Sequence, residues 1–106
     1  MKRYRLENFT RGWIIGNFEP NIFRTKDFEV MVRYYKEGDI EEQHVHKIAD
    51  EVTVIVSGRF KMNGEILTAG DIIHLEPGDS TDFECVEDGA TTVVKRPSVM
   101  GDKYPI

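Results

Sequence analysis

Apolar and polar residues alternate most cleanly from Glu51 to Ser57. Glu51, Thr53, Ile55 and Ser57 fall on one side of an extended chain, and Val52, Val54 and Val56 on the other. A period of two marks a strand with two different faces. Related signals recur along the chain. Phe28–Lys36 (FEVMVRYYK) is dense in β-branched and aromatic residues and predicts a strand, ended by a turn at Glu37-Gly38-Asp39. Trp13-Ile14-Ile15, bracketed by Gly12 and Gly16, predicts a short one. Arg59–Met62 and Glu65–Thr68 flank Asn63-Gly64. Both residues of that pair tolerate positive φ, so a type I′ hairpin is expected. Turns at Ala69-Gly70, Pro77-Gly78-Asp79 and Glu87-Asp88-Gly89 would separate strands at Asp71–Leu75, Thr81–Val86 and Thr91–Lys95. Asn17–Asp27, with Pro20 and Asn21, reads as a loop whose Phe18, Ile22 and Phe23 require burial. The polar start, Met1–Arg11, is expected to fray, and the tail from Arg96, with two prolines, to run extended. Helical periodicity is absent. Many short strands at this spacing predict an all-β sandwich or barrel, with no helix longer than about two turns.

Chemistry gathers beside the alternating strand. His44 and His46 are two apart, so on a strand both imidazoles aim the same way. After the short turn Lys47-Ile48-Ala49-Asp50, Glu51 opens the next strand. If the turn lays the strands side by side, His44, His46 and Glu51 converge. Two imidazoles and a carboxylate suit Fe(II), Mn(II), Zn or Ni. Read alone, the two histidines could equally be surface strand residues. His74 reads as a strand histidine and as a candidate replacement ligand. Glu37, Asp39, Glu41 and Glu42 read as a solvated turn and strand edge, and Lys95 and Arg96 as an anion site near a barrel end or as surface charges. Rival signatures are missing: there is no Gly-rich phosphate loop, no zinc cysteine pair and no Gly-x-Ser-x-Gly elbow.

The spacing Gly38, five residues, His44, one residue, His46, four residues, Glu51, six residues, Gly58 resembles the first conserved motif of the cupins at all five fixed positions. Gly70 to Cys85 (GDIIHLEPGDSTDFEC) is similar to the second motif, with Gly70-Asp71 opening it and Glu76-Pro77-Gly78 as its turn. Glu76 stands at the first proline position, Thr81 where the family has a third metal-binding His, and Cys85 where it often has Asn. The resemblance spans about Arg33 to Val94. It implies a double-sheet jelly-roll barrel as one domain over 1–106, with a core at about 28–96. It also implies a divalent metal at His44, His46 and Glu51, and a ligand cavity lined by Thr53, Ile55, Thr81, Phe83 and Cys85. Cys85, facing inward by parity, reads as a small buried hydrophobe, with soft metal ligand or nucleophile as alternatives.

Length and composition bound the rest. A chain of 106 residues, 40% hydrophobic and 31% charged, is one domain with a real core. A net charge of -5 without a basic stripe argues against nucleic acid and anionic membrane as partners. Cys85 is the single cysteine, so no internal disulfide forms and a cytoplasmic location is expected. Three outward valines, Val52, Val54 and Val56, predict an apolar strip covered either by the strand around Trp13–Ile15 or by a second copy, and the short N-terminus favours a homodimer. Two functions fit. One is a metal-dependent enzyme acting on a carbohydrate-related or other small substrate. The alternative is a metal-free module that binds a small sugar or carboxylate.

Overall fold

Two long strands carry the fold, and both are longer than the sequence pattern suggests. A computed structural model describes residues 1–106. Its strands are β1 (Trp13–Ile15), β2 (Glu29–Tyr35), β3 (Ile40–Val45), β4 (Asp50–Met62), β5 (Glu65–Thr68), β6 (Ile72–Leu75), β7 (Ser80–Arg96) and β8 (Tyr104–Pro105). The helical content is two three-residue 3₁₀ turns, Leu6–Asn8 and Thr10–Gly12.

β4 runs straight through Gly58, and β7 runs through Glu87-Asp88-Gly89, where a turn is expected from the sequence. The glycines there permit a close crossing instead of a reversal. Gly58 has φ +83, and a Cβ on Gly89 would lie 2.1 Å from the Ser57 carbonyl oxygen and 2.7 Å from the Gly58 Cα. The ladder between β4 and β7 shifts register three times between Ile55 and Phe60. Such bulges bend paired strands sharply.

The bend makes two layers from one hydrogen-bonded sheet. On one side of it the neighbours run β1-β2-β7-β4-β6; on the other they run β8-β3-β7-β4-β5. This is the expected double-sheet jelly roll, although the sheet folds over its core without closing into a hydrogen-bonded cylinder. The connections are local. Asn63 (φ 48) and Gly64 (φ 82) form the expected hairpin turn. Three other turns share one device. In Glu37-Gly38-Asp39, Ala69-Gly70-Asp71 and Pro77-Gly78-Asp79, the glycine sits near φ +94 and the aspartate carboxylate accepts the N–H three residues back.

The core lies between the layers. Tyr35, Phe60 and Phe83 meet as an aromatic trio with centroids 4.9 to 5.7 Å apart, packed with Ile55, Met62, Leu67 and Leu75. Phe18 of the early loop packs edge-on against Trp13, but Phe23 stays 51% exposed, so the loop buries fewer of its apolar residues than its sequence demands. The tail is not a free extension. It folds back so that β8 pairs with β3 and Asp102 is buried. No helix is long and apolar enough to cross a membrane.

Candidate functional site

A cavity of about 420 Å³ opens between the layers, walled by the inner faces of β2, β3, β4 and β7. Strand parity alone would not put Glu41 and His44 on one face. The ladder shows why both turn inward: Glu41 pairs with Phe83, and His44, three residues on, pairs with Thr81, two residues back. One extra residue at Glu42–Gln43 bulges out and resets the alternation. His46 follows the end of the strand and faces the same way.

Both imidazoles are buried, with ring centroids 5.3 Å apart and planes at 83°. His44 Nδ1 lies 2.9 Å from the Glu42 carbonyl, and His46 Nδ1 is hydrogen-bonded to the Asp102 carbonyl. A carbonyl can only accept, so each Nδ1 must donate. In the neutral ring this leaves the Nε2 lone pair free. His46 Nε2 stands 3.9 Å from Glu51 Oε1, outside hydrogen-bond range. His44, His46 and Glu51 therefore line one cavity. As they stand, no three His, Cys, Asp or Glu side chains form a group that could hold a metal ion. The donor chemistry nevertheless fits one. Ring nitrogens opposite the free ones are tied to backbone carbonyls, the usual support of metal-binding histidines.

The other expected residues divide. Thr53, Thr81 and Phe83 line the cavity. Ile55 and Cys85 point inward too, but they pack below it in the apolar core. Burial, and then the carboxylates of Asp39 and Asp88, push the Cys85 thiol up, which keeps it protonated and disfavours a role as nucleophile. Thr81 lies across the ladder from His44 and donates its hydroxyl to the Asp82 carbonyl at 2.7 Å. His74 falls outside the site. It pairs with Val52 on the outer face and contacts Asp50 at 2.9 Å. Lys95 and Arg96 cannot form one anion site, since neighbouring residues of a strand face opposite ways. Lys95 turns in to Glu29 at 3.2 Å, and Arg96 turns out to Asp50 at 3.6 Å.

Asp102 is the site residue least visible in the sequence. Its carboxylate accepts the backbone N–H groups of Lys47, Ile48 and Ala49, so it folds the turn between the histidines and Glu51 around itself. Burial alone would raise its pKa. The hydrogen bonds from Ala49, Lys47 and Ile48, with the nearby His46, outweigh that and hold it below the ordinary carboxylate value. Only a burial pattern across the tail could have flagged it, and a lone Asp in a short tail with two prolines gives none. The inner face also holds Glu29, buried and bound by Lys95 and the Ser98 hydroxyl. Tyr35 lies deeper, its phenol pushed up by burial.

No protein-family model matches the sequence, and no curated protein is significantly similar to it. Solved structures are similar in fold. A Klebsiella pneumoniae protein described as uncharacterised, with a double-stranded β-helix domain, is 21% identical, with a TM-score of 0.69 over 94% of this chain and 88% of that one. An RmlC-like cupin from Shewanella frigidimarina is 22% identical, with a TM-score of 0.62 over 73% of this chain and 71% of that one. The DMSP lyase DddQ from Ruegeria pomeroyi is 19% identical, with a TM-score of 0.69 over 97% of this chain, which spans 59% of that protein. The bent pair of long strands, the two layers and the cavity between them are thus those of the cupin double-stranded β-helix, and this chain has the cupin fold.

Proposed function

We propose that this chain binds a small molecule in its cavity together with a divalent transition metal (Mn, Fe, Zn or Ni) held by His44, His46 and Glu51, and acts as a metal-dependent enzyme. One observation carries the reading: both imidazoles have Nδ1 tied to a backbone carbonyl, with Nε2 left without a hydrogen bond in the cavity that also holds the Glu51 carboxylate. When bound, such an ion acts as a Lewis acid toward an oxygen of the small molecule. The chain's own contribution is positioning. The Glu42 and Asp102 carbonyls fix the tautomers and ring planes. Phe83 and Met62 form an apolar wall that limits water. Glu51 supplies the charge that balances the cation. That a DMSP lyase shares this fold is consistent with an enzyme.

Isothermal titration of the metal-stripped protein with Mn(II), Fe(II), Zn and Ni tests the proposal. One saturable site is expected for at least one ion. It should be lost in His46→Ala, which removes one of the two imidazole ligands. Thr81→His should strengthen it by adding a third imidazole beside His44.

A second reading has its own support. Thr81 offers a neutral hydroxyl already engaged with Asp82, and no three donors stand together, which favours a metal-free module for a small sugar or carboxylate. If none of the four ions binds, this reading stands.

We also propose a homodimer. Val56, Ile72 and Val94 are 53%, 63% and 41% exposed on the outer face, beside half-buried Val52 and Val54. β1 pairs edge to edge with β2 and does not lie over them. Asp50 at the rim, with His74 and Arg96, carries both signs of charge, so a two-fold-related copy can set acid against base.

A further inference from the structure

The cavity wall has an unequal distribution of unsatisfied charge. Three of the four acidic side chains that line it have a basic partner: Glu19 with Arg24, Glu29 with Lys95 and Glu41 with Lys103; the fourth, Glu51, has only the His46 imidazole 3.9 Å away. Of the cations, Lys95 and Lys103 are used in those pairs, while Arg11 and Arg33 have no acidic partner. In a chain of net charge -5, the cavity thus holds two cations without an acidic partner, Arg11 and Arg33, against one carboxylate without a cation, Glu51.

Arg33 is the better placed of the two. It sits mid-strand on β2, half-buried, with its guanidinium carbon 4.8 Å from the Tyr35 ring centroid. Stacking fixes the plane of the group but gives its five N–H donors no acceptor. Directly across the ladder is Thr91, which is 1% exposed and lines the same cavity. Its hydroxyl is buried and makes no hydrogen bond of ordinary length, although it lies close enough to the Tyr35 phenol to oppose the rise of that group's pKa. An unpaired buried hydroxyl is costly and calls for an explanation. A hydroxyl without a hydrogen bond of ordinary length and a guanidinium without an acid, on facing positions of one wall, have a common solution in a bound oxyanion.

We infer that the cavity recognises a carboxylate, received by Arg33 through a two-point contact with the Thr91 hydroxyl as a further donor. A carboxylate fits better than a phosphate. One planar fork matches two coplanar oxygens, and one free cation at that point balances one negative charge. The ligand class is thus small organic acids, with the carboxylate at the Arg33 end and the remainder extending toward the histidines. The inference depends on the cavity being a small-molecule site, and does not depend on the metal.

The test is an NMR titration of the metal-free protein, followed at the Arg33 Nε–H and Thr91 amide signals. Acetate and D-glucuronate are the carboxylate probes, D-glucose the uncharged control and inorganic phosphate the alternative anion. Both carboxylates should move the two signals saturably, glucose should not, and Arg33→Met should weaken binding about tenfold or more, the scale of a lost charge-assisted pair. Arg33→Lys keeps the charge without the fork and should fall between. The backbone spectrum of each variant reports whether the fold survives. The inference is overturned if neither carboxylate moves the Arg33 signal, if Arg33→Met and Arg33→Lys both bind like the parent, or if phosphate binds where the carboxylates do not. Metal titration is scored separately, so either proposal can fail alone.

Discussion

The two faces of β2, β7 and β4 invert the usual arrangement of a sheet. Across the inner face, one row of paired positions runs Glu29, Lys95, Glu51, and another runs Arg33, Thr91, Ile55. Across the outer face, the rows run Val30, Val94, Val52 and Val32, Thr92, Val54, with Ile72 beyond Val54. Along these rows the same strands turn charge inward, on either side of the buried Met31, Val93 and Thr53, and methyl groups outward. Burying charge is expensive unless it is paired, and exposing a row of valines forgoes burial that folding would otherwise gain. Neither face has its ordinary reason in the isolated chain. On the proposals above, each is completed from outside: the inner one by a ligand, the outer one by a second copy.

The largest effect belongs to the bend that separates the faces. Gly89→Ala would place a methyl group against the Ser57 carbonyl with no room to yield. The expected loss is several kcal/mol, about 3 or more, the range of severe backbone and packing clashes. Chemical denaturation measures it, and a near-parental midpoint would show that the crossing is looser than described.

Next comes Asp102, which supports the inner face from behind. Asp102→Ala removes the acceptor for three backbone N–H groups and should cost about 2 kcal/mol at neutral pH, as for a strong cap. The pH dependence has a definite sign. The folded-state pKa of Asp102 is depressed, so its contribution is complete above the unfolded value, about 3.9, and is lost as pH falls through the lower folded value. Asp102→Asn should therefore unfold with a shallower acid limb than the parent. Parallel acid limbs in thermal melts would remove Asp102 from this role.

These cases show what the sequence makes legible. Period-two alternation placed Glu51 and Thr53 inward and the three valines outward, because strand parity is local. The hairpin at Asn63-Gly64 was legible for the same reason, since its backbone demand is met by two adjacent residues. Glu87-Asp88-Gly89 misled because glycine serves a turn and a close crossing equally well, and only the opposite strand, with Gly58, decides which. Cys85 and Ile55 were assigned the correct side but not the correct depth, which parity cannot give. Arg33, Thr91 and Asp102 were missed because their importance lies in what they pair with, or fail to pair with, across long sequence separations.

The outer face should respond in assembly rather than stability. Ile72→Lys with Val54→Lys puts like charges on the apolar strip, and the protein should fall from dimer to monomer in light scattering at micromolar concentration. Ile72 is already exposed, so its share of any stability lost by the folded monomer should stay below about 1 kcal/mol. A parent that is monomeric at that concentration would remove the second copy from the comparison.

Thr91→Val is the smallest change and the one with the unusual sign. It deletes at constant shape a hydroxyl that makes no hydrogen bond of ordinary length, so the free protein should keep its stability or gain up to roughly 1 kcal/mol. Carboxylate binding should weaken at the same time. A loss of stability in the free protein would mean that the hydroxyl has a partner after all.

The central claim is that the inner face holds a metal at His44, His46 and Glu51. The most direct measurement is elemental analysis of protein purified without a His-tag, beside His44→Ala and His46→Ala prepared identically. The account predicts close to one equivalent of a divalent transition metal in the parent and almost none in either variant, with all three folded. Parent protein free of metal, or metal retained equally by the histidine variants, would contradict it.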